Sequence, residues 1–192
     1  MSILALTSDT LIGTPATGNL EYNGQFFGTD SNASRAQLQR IVRATAQNST
    51  SGTSIDFTGI PAWVEKITVM WNGVSTNGSS LYLIQIGDSG GIENTGYVSG
   101  AFDNSTANNS TIGFLVASQN INTATWGGAI TLSNLSGNVW VSSGTIASAT
   151  AGYLASSGGA KTLTDVLDRV RITTVNGTDA FDAGSVNIIY EG

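Results

Sequence analysis

The chain has 192 residues, a net charge of −6, 10% charged and 40% apolar side chains, 24 glycines, and neither histidine nor cysteine. Without imidazole or thiol there is no Ser-His-Asp triad, no thiolate nucleophile, no zinc held by His or Cys and no disulfide. The seven basic residues are dispersed, so the basic stripe that binds nucleic acid or an anionic membrane is missing, and no apolar run nears the ~20 residues of a membrane span.

Met1–Leu6 has no basic flank and is too short to read as a secretion signal. Residues 1–45 carry scattered apolar side chains without a sustained period and read as an N-terminal arm. Within it, Asn23-Gly24 sits between aromatic flanks, Tyr22 on one side and Phe26 and Phe27 on the other. Asn-Gly accepts positive φ at both turn centres and predicts a hairpin with a two-residue turn. Ala33–Val42 admits a short helix or a strand, and Arg35, Arg40 and Arg43 make this the most basic part of the chain. A lone hairpin is not stable in water, so the arm needs the main domain or a neighbouring subunit as its surface.

From residue 46 onward short strands and turns alternate. Ser54–Thr58 stops at Gly59-Ile60-Pro61. Lys66–Trp71 alternates, with Ile67, Val69 and Trp71 on one face, and Asn72-Gly73 ends it. Leu81–Ile86 is apolar on both parities apart from Gln85 and reads as a more buried strand. Residues 87–91 form a turn. Further strands are expected over 95–99, 111–117, 128–135, 138–142 and 145–154, with Ser136-Gly137 as a tight hairpin. A single helical turn is expected around Leu163–Leu167. Arg169–Val175 and Ser185–Tyr190 follow, joined by the loop Asn176–Gly184. The pattern predicts an all-β, antiparallel, jelly-roll-like β-sandwich over 46–192, preceded by the arm.

Paired carboxylates can cleave glycosidic bonds without His or Cys. The candidates are Asp56, Glu65, Asp88, Glu93 and Asp103, most of them in or beside turns, where Asp bonds its own backbone. The sequence converges on no catalytic set, so no enzyme and no cofactor are expected. Asp88–Gly91 and Asp179–Asp182 offer oxygen ligands but lack the EF-hand spacing, and turn chemistry accounts for them without a metal. Trp71 and Trp140 lie in alternating strands and read as core. Trp63 follows a Gly-Ile-Pro turn and Trp126 precedes Gly127-Gly128. These two, with Tyr22, Phe26 and Phe27, are the candidate ligand or interface residues: an exposed ring can stack a sugar face or pack against a subunit.

Several stretches carry a likeness. Residues 52–61 (GTSIDFTGIP) continued by 63–75 (WVEKITVMWNGVS), residues 83–97 (LIQIGDSGGIENTGY) and residues 168–191 (DRVRITTVNGTDAFDAGSVNIIYE) resemble a module of tailed-bacteriophage virion proteins. Residues 14–24 (TPATGNLEYNG), followed by Ser34-Arg35, are similar to the segment preceding the terminal domain of phage tail fibres. The resemblance implies a non-enzymatic virion structural protein with a β-sandwich tip. It also implies a homo-oligomer, expected to be a trimer, whose partners are other virion proteins and a host surface glycan. A capsid decoration protein and a free carbohydrate-binding module are the alternatives.

Overall fold

The computed structural model describes residues 14, 16–23, 26–32 and 34–192, which divide into one unit within Met1–Arg40 and a second over Ile41–Gly192. The readings placed on Met1–Leu6, Gly24 and Ala33 lie outside the described residues.

In the first unit β1 (Leu20–Tyr22), β2 (Phe26–Thr29) and β3 (Arg35–Gln37) form an antiparallel sheet in that order. Tyr22 is paired with Phe26, their rings 5.0 Å apart. The two strands of the expected hairpin are therefore paired. Asp30 then turns the chain into β3 by accepting hydrogen bonds from the Asn32 and Ser34 amides, both at 2.9 Å. Arg35 Nε donates to Glu21 Oε2 at 2.7 Å across the sheet. The described residues of 33–42 hold no helix and supply β3 and the start of β4 (Ile41–Arg43).

β4 belongs to the second unit, which runs from Ile41. The remaining strands are β5 (Gln47–Asn48), β6 (Ile55–Thr58), β7 (Lys66–Thr76), β8 (Tyr82–Asp88), β9 (Gly91–Ile92), β10 (Val98–Asp103) and β11 (Thr106–Ser110). They continue with β12 (Phe114–Leu115), β13 (Trp126–Ser136), β14 (Val139–Ser148), β15 (Tyr153–Thr162), β16 (Arg169–Thr174) and β17 (Phe181–Glu191). A nine-stranded sheet runs β11-β10-β15-β14-β13-β7-β17-β4, with β5 also on β17. A five-stranded sheet runs β12-β8-β16-β6, with β9 on β8. All pairs are antiparallel, and the inner faces of the two sheets share one core, so the second unit is a β-sandwich.

Alternation explains that core. Ile67, Val69 and Trp71 of β7 point inward, as do Ile130 and Leu132 of β13, and they meet Ile84 and Ile86 of β8 and Val170 and Ile172 of β16 within one cluster. Burying side chains of this size contributes roughly 1.5–3 kcal/mol each. Aromatic rings fill the wider gaps. Trp71 meets Tyr82 edge-on at 5.3 Å, and Tyr97 meets Phe114 edge-on at 5.0 Å. β8 is buried at every position, because Leu83 packs on the far side against Ala101 and Leu115.

Several expectations change. Asn72-Gly73 does not end β7 but forms a bulge within it. Gly73 has φ 64° and Gly184 opposite has φ 91°. A Cβ on Gly184 would stand 2.4 Å from the Gly73 carbonyl oxygen, so only glycine fits. The run 145–154 is not one strand: β14 ends at Ser148, and residues 149–152 turn into β15, with Gly152 at φ 70°. β11 was not read from the sequence, because Thr106–Ser110 has no apolar alternation. The tight hairpin after β13 turns on Gly137 and Asn138, since Ser136 pairs with Val139. No helical turn forms at Leu163–Leu167, where both leucines drop into the core.

Candidate recognition surface

Asp56, Asp103 and Glu65 occupy separate structural stations. Asp56 on β6 makes a two-point pair with Arg171 on β16, Arg171 Nε and its terminal nitrogen each lying 2.7 Å from a carboxylate oxygen. Asp103 is fully buried and accepts the Ser118 amide at 2.9 Å, the Gln119 amide at 2.8 Å and the Gln119 side chain at 2.7 Å. It anchors the chain leaving β12. Glu65 contributes backbone bonds, its amide donating to Glu191 O and its carbonyl accepting from Asn134, each at 2.8 Å.

Asp88 and Glu93 are the two acids brought together. Thr164 Oγ1 lies 2.7 Å from both Asp88 Oδ2 and Glu93 Oε1. The buried Lys161 ammonium closes on Glu93 Oε2 and donates to the Thr162 carbonyl at 2.8 Å. It also lies 5.5 Å from the centre of the Tyr97 ring. The Thr164 hydroxyl and then the Gly90 amide hold the Asp88 carboxyl below its ordinary range. Burial pushes Glu93 upward, but the bonds from Lys161 and Thr164 together outweigh it and leave its carboxyl lowered. A glycosidic acid-base pair needs one carboxyl raised so that it can carry a proton. Here both are lowered, and the cluster ties β8, β9 and the end of β15 together.

The two candidate calcium segments use their oxygens internally. Asp88 caps the Gly90 amide at 2.7 Å. Asp179 accepts from Asn176 at 2.6 Å and from the Ser80 amide at 2.9 Å, and Asp182 accepts from the Ser75 hydroxyl. Among the described residues no group of three or more acidic side chains is placed to hold a metal ion.

The aromatic candidates divide. Trp126 is not exposed: it is 0% accessible, its indole N–H donates to Asn120 Oδ1 at 3.0 Å, and it stacks on Tyr153 at 6.1 Å. The following glycines belong to a bulge that turns the ring inward, so it has no face to offer a sugar. Trp63 is half-buried and packs against Tyr190 at 5.8 Å. Trp71 and Trp140 are core, as expected. In the first unit Phe26 is exposed while Tyr22 and Phe27 are half-buried.

A cleft lies elsewhere, on the outer face of the smaller sheet. It measures about 300 Å³ and is lined by neighbouring β8 and β16 residues, Gln85 beside Arg171, together with Thr173 and the exposed Val175, and bounded by Asn94 and Asn176. Its donors are fixed before any ligand arrives. Gln85 Nε2 donates to Ile112 O, and Thr173 Oγ1 to Thr53 O, both at 2.8 Å, while Asp56 holds the Arg171 guanidinium flat and raises its pKa. Oriented amides and a guanidinium beside aliphatic carbons suit a polyhydroxylated ligand. The signal in the sequence is Gln85, the one polar residue in an otherwise apolar strand, together with the Arg171, Thr173 alternation. No protein-family model matches the chain, nor does any curated protein or solved structure.

Proposed function

We propose that this chain is a non-enzymatic structural protein of a tailed-bacteriophage virion, exposed on the particle as a tail-fibre-type tip that contacts a host surface glycan. The observation that carries the reading is the order in which the chain visits the two sheets. With β4 and β5 taken as one broken strand, two sets of four stand out: β4-β17-β7-β13 and β6-β16-β8-β12. The chain crosses from one set to the other at every step except β8 to β12. We read this as a jelly roll in which β9, β10 and β11 are inserted between β8 and β12, and β14 and β15 between β13 and β16. Jelly rolls recur in viral capsid and lectin domains. Fold alone does not assign function, and two features add support: the carboxylates of Asp56, Asp88, Glu93 and Asp103 are engaged in fixed contacts, and the cleft beside Arg171 carries pre-set polar groups.

Gold-labelled antibody against the purified protein, applied to intact phage particles, tests the location. Label at the fibre tips is the expected result. Label over the head would make the chain a capsid decoration protein, and absence of label from particles of a phage that encodes it would overturn the virion reading. Glycan-array binding without release of reducing ends tests adhesion against cleavage.

A further inference from the structure

We infer that the outer face of the larger sheet, from β11 to β13, packs against a second copy of this chain. The ladder partners give the face its composition. Outward positions are Ala107 and Asn109 on β11; Val98, Gly100 and Phe102 on β10; and alternate residues from Leu154 to Thr162 on β15, Val139 to Ala147 on β14 and Gly127 to Ser133 on β13. Every one is Gly, Ala, Ser, Thr, Asn, Val, Leu or Phe. A patch spanning five strands without one outward charge is unusual on a free surface, where edges and faces are ordinarily kept apart by lysine and glutamate.

Three observations select a second copy as the occupant. The first is charge. The chain carries a net −6, yet on this face two copies meet neither like charges nor a charge that must be stripped of water.

The second is shape. Gly100, Gly158, Ser143 and Thr131 are successive cross-strand partners and form a low row across the sheet. Val98 on one side, 76% exposed, and Phe102 and Leu154 on the other, 52% and 61% exposed, stand above it. The same face thus presents a raised apolar edge and a trough with no side chain at Gly100 and Gly158 to fill it, which is what a surface needs to fit its own copy.

The third is area. Five strands about 4.8 Å apart, with a mean length near 25 Å, give roughly 600 Å² in projection, within the roughly 600–1,000 Å² per partner of stable interfaces.

Light scattering on the full chain supplies the test. The expected wild-type mass is a multiple of 19.7 kDa. Ser143→Lys combined with Thr145→Lys places two charges at the centre of the face, on exposed positions of β14, and should return the mass to that of one chain with an unchanged circular dichroism spectrum. Thr58→Lys, exposed on β6, should leave the oligomer intact. Because the chain has no cysteine, Ser143→Cys gives a single site for a nitroxide label. Immobilisation of that label in the oligomer, or dissociation caused by it, supports the interface. A monomeric wild type at tens of micromolar, a mobile label within an intact oligomer, or an oligomer that survives the lysines but dissolves on Phe26→Ser would overturn it. This inference goes beyond the virion reading, and its failure would leave the labelling result on particles unaffected.

Discussion

The sheet of β1–β3 and the sandwich of β4–β17 are built from the same kinds of residue and the same antiparallel ladders, yet they are held differently. In the sandwich, 32 apolar side chains are buried. In the described part of the first unit the buried side chain is Thr29, and the sheet relies on its ladder, the Tyr22–Phe26 contact and the Arg35–Glu21 pair. Hydrogen bonds alone add little net stability because water competes for them, and a few short strands without a buried face are marginal. Stability in this molecule therefore belongs to the region where alternating faces close over each other.

The strongest way to break the comparison is to remove the ring at its centre. Trp126→Ala should cost ~3–5 kcal/mol in urea unfolding, because it opens a cavity and strands the Asn120 side chain. Phe26→Ser in the first unit should leave the same transition within about 0.5 kcal/mol of wild type. Equal losses would mean that the two regions unfold as one.

Next in size is the polar tie at the sandwich margin. Lys161→Ala leaves Glu93 without its cation and should cost ~2–3 kcal/mol, less than the ~3–5 of a fully buried pair because Glu93 keeps some contact with water. The same groups set a pH window. Asp88 and Glu93 are lowered in the fold, so their contribution is complete above the ordinary carboxylate range of about 4 and is lost as pH falls through the folded values. Tyr82 shifts the other way: burial pushes its phenol up to about 12, so its contribution is complete below about 10 and declines as pH rises towards 12. Thermal melts from acid to alkali should show a plateau falling at both ends, and in Lys161→Ala the acid limb should become shallower, because burial pushes Glu93 upward and it loses the main bond that lowers it.

Gly184→Ala sharpens the contrast at the level of backbone. Its positive φ and the facing Gly73 carbonyl predict a loss of ~1–3 kcal/mol by thermal melting. The smallest effect is expected at the exposed Asp56–Arg171 pair, where Asp56→Asn should change stability by ~0.2–1 kcal/mol but weaken any glycan binding in the cleft by freeing the guanidinium.

Much of the sandwich was legible because burial writes itself as alternation. Ile67, Val69 and Trp71 are inward for that reason, and Leu81–Ile86 is apolar on both parities because the strand it encodes is covered on both sides. What escaped depends on partners distant in sequence. The bulge at Gly73 reads as a strand end until Gly184 is placed opposite. Trp126 reads as exposed until Asn120 and Tyr153 close around it. The turn at 149–152 was hidden because Ala149-Thr150-Ala151 lacks the Pro, Asn or Asp that marks a turn. The cleft was missed because Gln85 looked like an imperfection in a core strand. The outer face from β11 to β13 left no mark in any one segment, since Ser, Thr, Ala and Gly at alternate positions look like ordinary solvent-facing text until five strands are laid side by side.

The position of β17 has a further consequence, for how the molecule is made. It lies between β7 and β4 and also holds β5, so it joins strands synthesised far earlier into one sheet. Until it emerges, β4 and β5 have no place in the larger sheet and the β7 ladder is half filled. Such long-range pairing incurs its loop-closure entropy before any contact offsets it, which places folding in the millisecond-to-second regime and leaves open strand edges exposed during translation. A chain halted between β16 and β17 should accumulate as an aggregation-prone intermediate, and the ribosome, rather than thermal stability, would then set the yield of folded protein.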